Sequence, residues 1–234
     1  MAPDYKKTVA MGYSQEWEEC YAGNTQMSIW PWSELVSLVH LYCKSLIESG
    51  GSVLELGCGA GANIPLFLKL GLDYYAIEGS PIIVERLHRR YPDLSKNICV
   101  GDFTLAQSFD GDFDVVIDRA ALTHNDTESI KQALKNTHKS LKPTGLFIGV
   151  DWFSTHHTDF REGQTGRDEF TKINFSKGQF SGVGQVHFSD EDHLRELFSD
   201  FEILFIEEKL IRRYEPQDDH QFSSWNIVAR KSHD

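Results

Sequence analysis

Hydrophobic positions along this chain alternate between two spacings. Short apolar runs occur at Val53-Leu54-Glu55-Leu56, Asp73-Tyr74-Tyr75-Ala76-Ile77, Asn97-Ile98-Cys99-Val100, Phe113-Asp114-Val115-Val116-Ile117 and Leu146-Phe147-Ile148-Gly149-Val150. Their length and their β-branched and aromatic content predict five buried strands. Helical spacing fills the gaps. Residues 32–48 place Leu35, Val36, Leu38, Val39, Leu41, Tyr42, Leu46 and Ile47 on one predicted helix that stops at Ser49-Gly50-Gly51. Ser80-Pro81 is a cap followed by a first-turn proline, so a helix starts there, runs to Arg90 and ends at Pro92. Residues 126–141 predict another helix, and Pro143-Thr144-Gly145 turns the chain into the fifth strand. In the tail, Ser189-Asp190-Glu191-Asp192 opens a short helix to Phe198, and residues 201–211 and 224–229 predict a hairpin around the polar turn 215–221. With no internal repeat, the alternation predicts one open α/β sheet with helices on both faces.

The first strand breaks into Gly57-Cys58-Gly59-Ala60-Gly61 just before a helical segment. Glycine reaches positive φ without steric cost and lets a ligand approach the main chain, so this is a nucleotide-binding turn. Glu78 ends the second strand about twenty residues on, where an acidic side chain accepts ribose hydroxyls. Gly57, Gly59 and Ala62 also satisfy the loose dinucleotide fingerprint, which keeps NAD as an alternative. The third strand ends in Gly101-Asp102-Phe103 and the fourth in Asp118-Arg119. Any one of these acids alone would be an ordinary solvated helix cap. Three of them, each directly after a strand, form a site.

The run 53–61, Glu78, Gly101-Asp102-Phe103 and Phe113-Asp114-Val115-Val116-Ile117-Asp118 resemble the successive motifs of class I, Rossmann-like S-adenosylmethionine-dependent methyltransferases, over roughly residues 50–152. The resemblance implies a seven-stranded, mostly parallel sheet of order 3-2-1-4-5-7-6 whose last strand is antiparallel. A dinucleotide domain would continue in parallel. It also implies that Glu55, Gly57 and Gly59 border the methionine part of S-adenosylmethionine, that Glu78 holds the ribose, that Asp102 and the Phe103 backbone contact adenine, and that Asp118 lies beside the methionine amino group. Cys58, Gly79 and Arg119 complete the implied contact set, and the implied product is S-adenosylhomocysteine. Cys58 and Ala60 fill variable motif positions.

Ligands of open α/β sheets bind beyond the carboxyl ends of the strands. Two segments there are rich in histidine: Arg119-Ala120-Ala121-Leu122-Thr123-His124-Asn125 and Asp151-Trp152-Phe153-Ser154-Thr155-His156-His157-Thr158-Asp159. A histidine can take a proton from an acceptor hydroxyl, and a carboxylate can orient an amine. His124 and Asp151 are the leading catalytic candidates, followed by His156 and His157. Asp151, His156, His157 and Asp159 could ligate a divalent metal, but their spacing is not specific and no metal is expected.

Residues 1–48 read as an aromatic-rich helical lid or extension, with Tyr5, Tyr13, Trp17, Tyr21 and a rigid wall at Trp30-Pro31-Trp32. Residues 49–234 read as the cofactor-binding domain, with a lid insertion at about 152–188 whose stretch 160–187, rich in Gly, Gln and Ser, is expected to be mobile.

The 234 residues suffice for one such domain without disulfides, and the four cysteines lie far apart, as reduced thiols would. A net charge of −12 argues against nucleic acid as a partner. The densest basic stretch, Arg86, His88, Arg89 and Arg90, reads as a solvated helix end. No apolar run nears the about twenty residues of a membrane span, and Met1-Ala2-Pro3-Asp4-Tyr5-Lys6-Lys7 lacks a signal-peptide core, so a cytoplasmic protein with no membrane partner is expected. The expected activity is methylation of a small polar molecule, first a sugar-like or natural-product hydroxyl and second an amine. Two alternatives remain: an NAD-dependent oxidoreductase, and a cofactor-binding subunit without catalysis of its own.

Overall fold

The computed structural model describes residues 15–105, 108–109 and 111–232. Tyr5, Tyr13 and the segment Met1-Ala2-Pro3-Asp4-Tyr5-Lys6-Lys7 lie outside the described residues.

Seven strands form the main sheet: β1 (Ser52–Leu56), β2 (Asp73–Glu78), β3 (Ile98–Val100), β4 (Phe113–Arg119), β5 (Leu141–Phe153), β9 (Phe201–Tyr214) and β10 (Gln217–Lys231). They lie in the order β3-β2-β1-β4-β5-β10-β9. Counting main-sheet strands alone, that is 3-2-1-4-5-7-6. The β3-β2-β1-β4-β5 portion is parallel, and β10 inserts antiparallel between β5 and β9.

Successive residues of a strand point to opposite faces, and both faces here are covered. Val53, Tyr74, Val115, Ile117, Ile148 and Val228 enter one core with α2 (Ser33–Tyr42), α4 (Ile64–Lys69) and α5 (Pro81–Arg90). Leu54, Ile77, Val116, Phe147 and Ile227 enter the other, with α6 (Thr127–Ser140) and α7 (Glu191–Leu197). This two-sided burial makes the strands read as continuous apolar runs. Side chains of Ser80, Asp126 and Asp190 accept the third backbone N–H into α5, α6 and α7, fixing where each helix starts.

Four expectations need correction. The predicted helix over 32–48 is two helices, α2 and α3 (Lys44–Ser49), broken at buried Cys43. Neither glycine nor proline marks that break. Pro143-Thr144-Gly145 does not precede the fifth strand but is looped out within β5, where the register against β4 shifts and Thr144 takes φ 65°. The C-terminal hairpin is longer than predicted and turns at Glu215-Pro216. Residues 160–187, expected as a mobile cover with no strands of its own, have regular structure. They carry a second, three-stranded sheet of β6 (Gln164–Thr165), β7 (Thr171–Ile173) and β8 (Val186–His187). A third core of Phe153, Phe175, Phe180, Val183, Val186 and Phe188 anchors this segment.

The N-terminal helix α1 (Gln15–Ala22) is fastened to α5. Arg86, read from sequence as part of a solvated helix end, donates to the Tyr21 carbonyl at 3.2 Å and to Asn24 Oδ1 at 2.9 Å. No described helix is long and apolar enough to cross a membrane.

Candidate active site

The strand tips of β1, β2 and β4 open into a cavity of about 470 Å³ roofed by α1 and by the 160–187 segment. The volume falls within the ~300–1,000 Å³ of small-molecule sites. Of the residues the sequence nominated for the cofactor, Glu55, Gly57, Cys58, Gly59, Glu78, Gly79, Asp102, Phe103 and Arg119 line it, as does His124.

The bend after β1 is tight. Gly57 has φ 65°, and a Cβ on it would sit 2.3 Å from the Ala121 Cβ. Gly59 has φ 49°, and a Cβ there would lie 3.1 Å from the Tyr21 hydroxyl. The three glycine N–H groups of the bend are committed. Gly57 N donates to Ile77 O at 2.8 Å, Gly61 N to Cys58 O at 3.0 Å, and Gly59 N to Glu78 Oε2 at 2.8 Å. The other Glu78 oxygen accepts Ser80 N at 2.9 Å. Burial pushes the Glu78 carboxyl above its ordinary range, and those N–H bonds oppose the push. Glu55, held by Asn63 and Tyr74, is pushed up to about 7 by burial. Asp102 Oδ1 accepts the Thr104 N–H at 2.9 Å and its hydroxyl at 2.6 Å.

This donor set bears on the charge of the ligand. A pyrophosphate needs free N–H groups at the bend. Here the cradle of glycine N–H groups is spent on carbonyls and a carboxylate, and the floor carries buried acids. Such a floor suits a cation, and the adenosyl sulfonium with its ammonium is one. The residues present fit S-adenosylmethionine.

Asp118 does not line the cavity. Its carboxylate lies beneath the floor, accepting Ala121 N at 3.1 Å, Leu122 N at 3.0 Å and Trp152 Nε1 at 2.7 Å. It is a buried cap for the turn after β4, and burial pushes it up to about 7. The structure therefore does not put it within reach of a ligand amino group.

The catalytic candidates separate. His124 Nδ1 faces the Gln185 carbonyl at 3.2 Å, and the His124 carbonyl accepts Gln185 Nε2 at 3.2 Å. A carbonyl only accepts, so Nδ1 carries the proton and Nε2 keeps its lone pair, with no hydrogen-bond partner among the described residues. Trp17 and Phe153 meet the ring edge-on at 4.8 and 6.2 Å. Burial pushes its pKa down to about 4, so the ring is neutral at physiological pH.

Asp151 is not available as a base, because its buried carboxylate accepts from Arg119 at 3.1 Å, Lys209 at 2.8 Å and Ser224 Oγ at 3.1 Å. It positions Arg119, whose guanidinium stacks 3.5 Å from the Trp32 ring centroid at the cavity wall. Asp151→Asn is expected to lower stability by ~1–3 kcal/mol, as loss of charge-assisted bonds does. A thermal melt and kinetics check this: unchanged stability with a loss confined to kcat would restore Asp151 as the base. His156 lies outside the cavity, exposed and paired with Glu208 at 2.7 Å. His157 is buried behind the cavity wall among Phe153, Phe180 and Phe222.

Of the expected aromatic lid, Trp17, Tyr21 and Trp32 line the cavity, whereas Trp30 points outward at 74% exposure. Gln179, Phe180, Val183 and Phe222 also line it and were missed. They come from the 160–187 segment and from the part of the hairpin that carries no alternating apolar pattern.

Residues 53–145 match the family model of the methyltransferase domain. Over that stretch the chain is similar to methyltransferase domains, and its sheet order is the one the class I, Rossmann-like resemblance of its motifs implies. It is 28% identical over 108 residues to the ribosomal protein L11 methyltransferase of Thermosipho africanus, covering 46% of this chain and 40% of that protein. It is 24% identical over 181 residues to the tRNA N(3)-methylcytidine methyltransferase Mettl2 of Drosophila melanogaster, covering 71% and 53%. The chain therefore spans about half the length, or less, of the curated relatives it matches. Among solved structures, a SAM-dependent methyltransferase from Methanosarcina mazei superposes with a TM-score of 0.64 at 20% identity, over 82% of this chain and 97% of that one.

Proposed function

We propose that the protein is an S-adenosylmethionine-dependent methyltransferase acting on a small polar molecule, with a sugar-like or natural-product hydroxyl as the first acceptor and an amine as the second. One observation carries this reading: His124, whose Nδ1 is held by the Gln185 carbonyl, lines the same cavity as the acid-floored glycine bend. When bound, S-adenosylmethionine supplies an electrophilic methyl carbon whose leaving group departs as a neutral thioether. The chain's own work is to orient the acceptor, exclude water and take a proton. Trp17, Trp32, Phe153, Phe180 and Phe222 form the apolar walls, and Arg119 and Asn125 add polar contacts. A ring with so low a proton affinity cannot ionise an alcohol beforehand. His124 instead accepts the proton as the bond to the methyl carbon forms, when the acceptor oxygen turns strongly acidic.

The two curated relatives are named for a ribosomal protein and a tRNA. The net charge of −12 opposes a polyanionic acceptor, and walls on both sides of the cavity favour a compact one. Unpaired cysteines at all four positions and the nucleotide-dependent chemistry support a cytoplasmic location.

A pH profile checks the base. With His124 at about 4, the inflection in kcat/KM that belongs to this residue is expected near 4 and not at the ordinary histidine value of about 6.5. An inflection near 6.5 that vanishes in His124→Gln would contradict it. The acceptor is named by transferring a labelled methyl group from the donor into a whole-cell extract, separating metabolites, protein and RNA, and identifying the labelled product by mass. Label found only in protein or RNA would overturn the small-molecule reading.

A further inference from the structure

Behind the aromatic wall, outside the cavity, three ligating side chains converge from distant parts of the chain. His157 and Asp159 flank the start of the single helical turn Thr158–Arg161, and His220 comes from β10. One ligand atom from each lies within 4.8 Å of the other two. The His220 Nε2 is 3.2 Å from Asp159 Oδ1. Two polar atoms here have no use within the described residues. Asp159 is 2% exposed and its Oδ2 has no partner; His157 is 1% exposed and its Nε2 has none.

The surroundings are largely apolar. Phe153, Phe180, Phe188 and Phe222 surround the His157 ring with centroids 5.2 to 6.1 Å away. Gly178 closes the other side at φ 84°, where a Cβ would lie 2.7 Å from Asp159 Oδ2. Leaving a carboxylate oxygen and an imidazole nitrogen unpaired in an apolar shell is costly. A cation satisfies the carboxylate oxygen, and the ring nitrogen as well once its proton has moved to the other nitrogen.

We infer that His157, Asp159 and His220 bind a divalent transition metal of the zinc type, which clasps the C-terminal hairpin to the turn behind the acceptor wall. Two imidazoles and one carboxylate suit zinc, not calcium or magnesium, and leave a fourth position for solvent. His157 Nδ1 now accepts the Asp159 backbone N–H at 3.1 Å, so the neutral ring holds its proton on Nε2. Coordination through Nε2 moves that proton to Nδ1, and the Asp159 N–H must then turn away from the ring. The clasp ties the Phe222 strand to the turn that leads into the 160–187 segment, and so braces the wall formed by Phe222. Sequence spacing hid it, because His220 lies more than sixty residues from its partners and Asp151 and His156, the other sequence candidates, point elsewhere.

The test is a zinc titration of the untagged full-length chain against a chromophoric chelator, together with the metal content of the protein as purified. One zinc per chain is expected, with a rise in unfolding temperature on zinc addition. His220→Gln, at a half-exposed position that leaves the core intact, should weaken binding at least about 100-fold and abolish the temperature rise. His40→Ala, on the exposed face of α2, should change neither. Asp159→Asn is the second variant, should His220→Gln fail to fold. Wild-type protein that takes up no zinc, or binds it no more tightly than His220→Gln, overturns the proposal and leaves a buried water as the bridge.

Discussion

Replacing His124 with glutamine is expected to lower kcat by about 10²- to 10⁴-fold, the usual contribution of a positioned general base, with little change in donor affinity. The argument rests on orientation. Gln185 clamps the residue from both sides, through Nδ1–H and through the His124 carbonyl, so the ring presents Nε2 and cannot exchange the roles of its nitrogens without losing a bond. The edge-on contacts with Trp17 and Phe153 fix the ring plane as well. Glutamine keeps the size and polarity but offers no nitrogen lone pair. Single-turnover methyl transfer measures the step directly, and an unchanged rate would show that His124 only walls the cavity.

Gly57→Ala is expected to weaken donor binding by at least about 100-fold, corresponding to ~2.7 kcal/mol. A left-handed backbone costs an L residue ~1–2 kcal/mol. The new Cβ would also stand 2.3 Å from the Ala121 Cβ, which is fixed to the turn that Asp118 caps. Either the bend or that turn must move, and both line the cavity. Gly50→Ala separates strain from contact. Gly50 has φ 78°, but a Cβ there would meet nothing within 4 Å, so the variant should lose stability and keep donor affinity. Calorimetry that finds Gly57→Ala binding as wild type would contradict the placement of the donor.

What could be read from the sequence follows burial. The five parallel strands are covered on both faces, so Val53-Leu54, Val115-Val116 and Phe147-Ile148 form apolar runs that locate the sheet and its glycine bend. The hairpin was legible only near its base. Residues 208–223 of its arms are largely solvated or pair with polar side chains, so no period-2 signal marks them. Phe175, Phe180, Val183 and Phe188 form one cluster, but their irregular spacing among Gly, Gln and Ser resembles a loop.

Side-chain direction was the harder problem. Asp118 sits at the expected strand end, yet the Trp152 indole and two turn N–H groups draw it under the floor. His156 and His157 are neighbours that part company, one to Glu208 outside and one to the aromatic cluster inside. Asp151 is taken up by two cations from β4 and β9. None of these partners is close in sequence, so residue type and position along the strand could nominate these side chains but could not aim them.

The most direct test of the central claim is calorimetric titration of the full chain with S-adenosylmethionine and, separately, with NAD. The account predicts one saturable site for S-adenosylmethionine that Glu78→Ala largely removes, and no binding of NAD. Binding of NAD at the bend, or S-adenosylmethionine binding that survives Glu78→Ala unchanged, would contradict it.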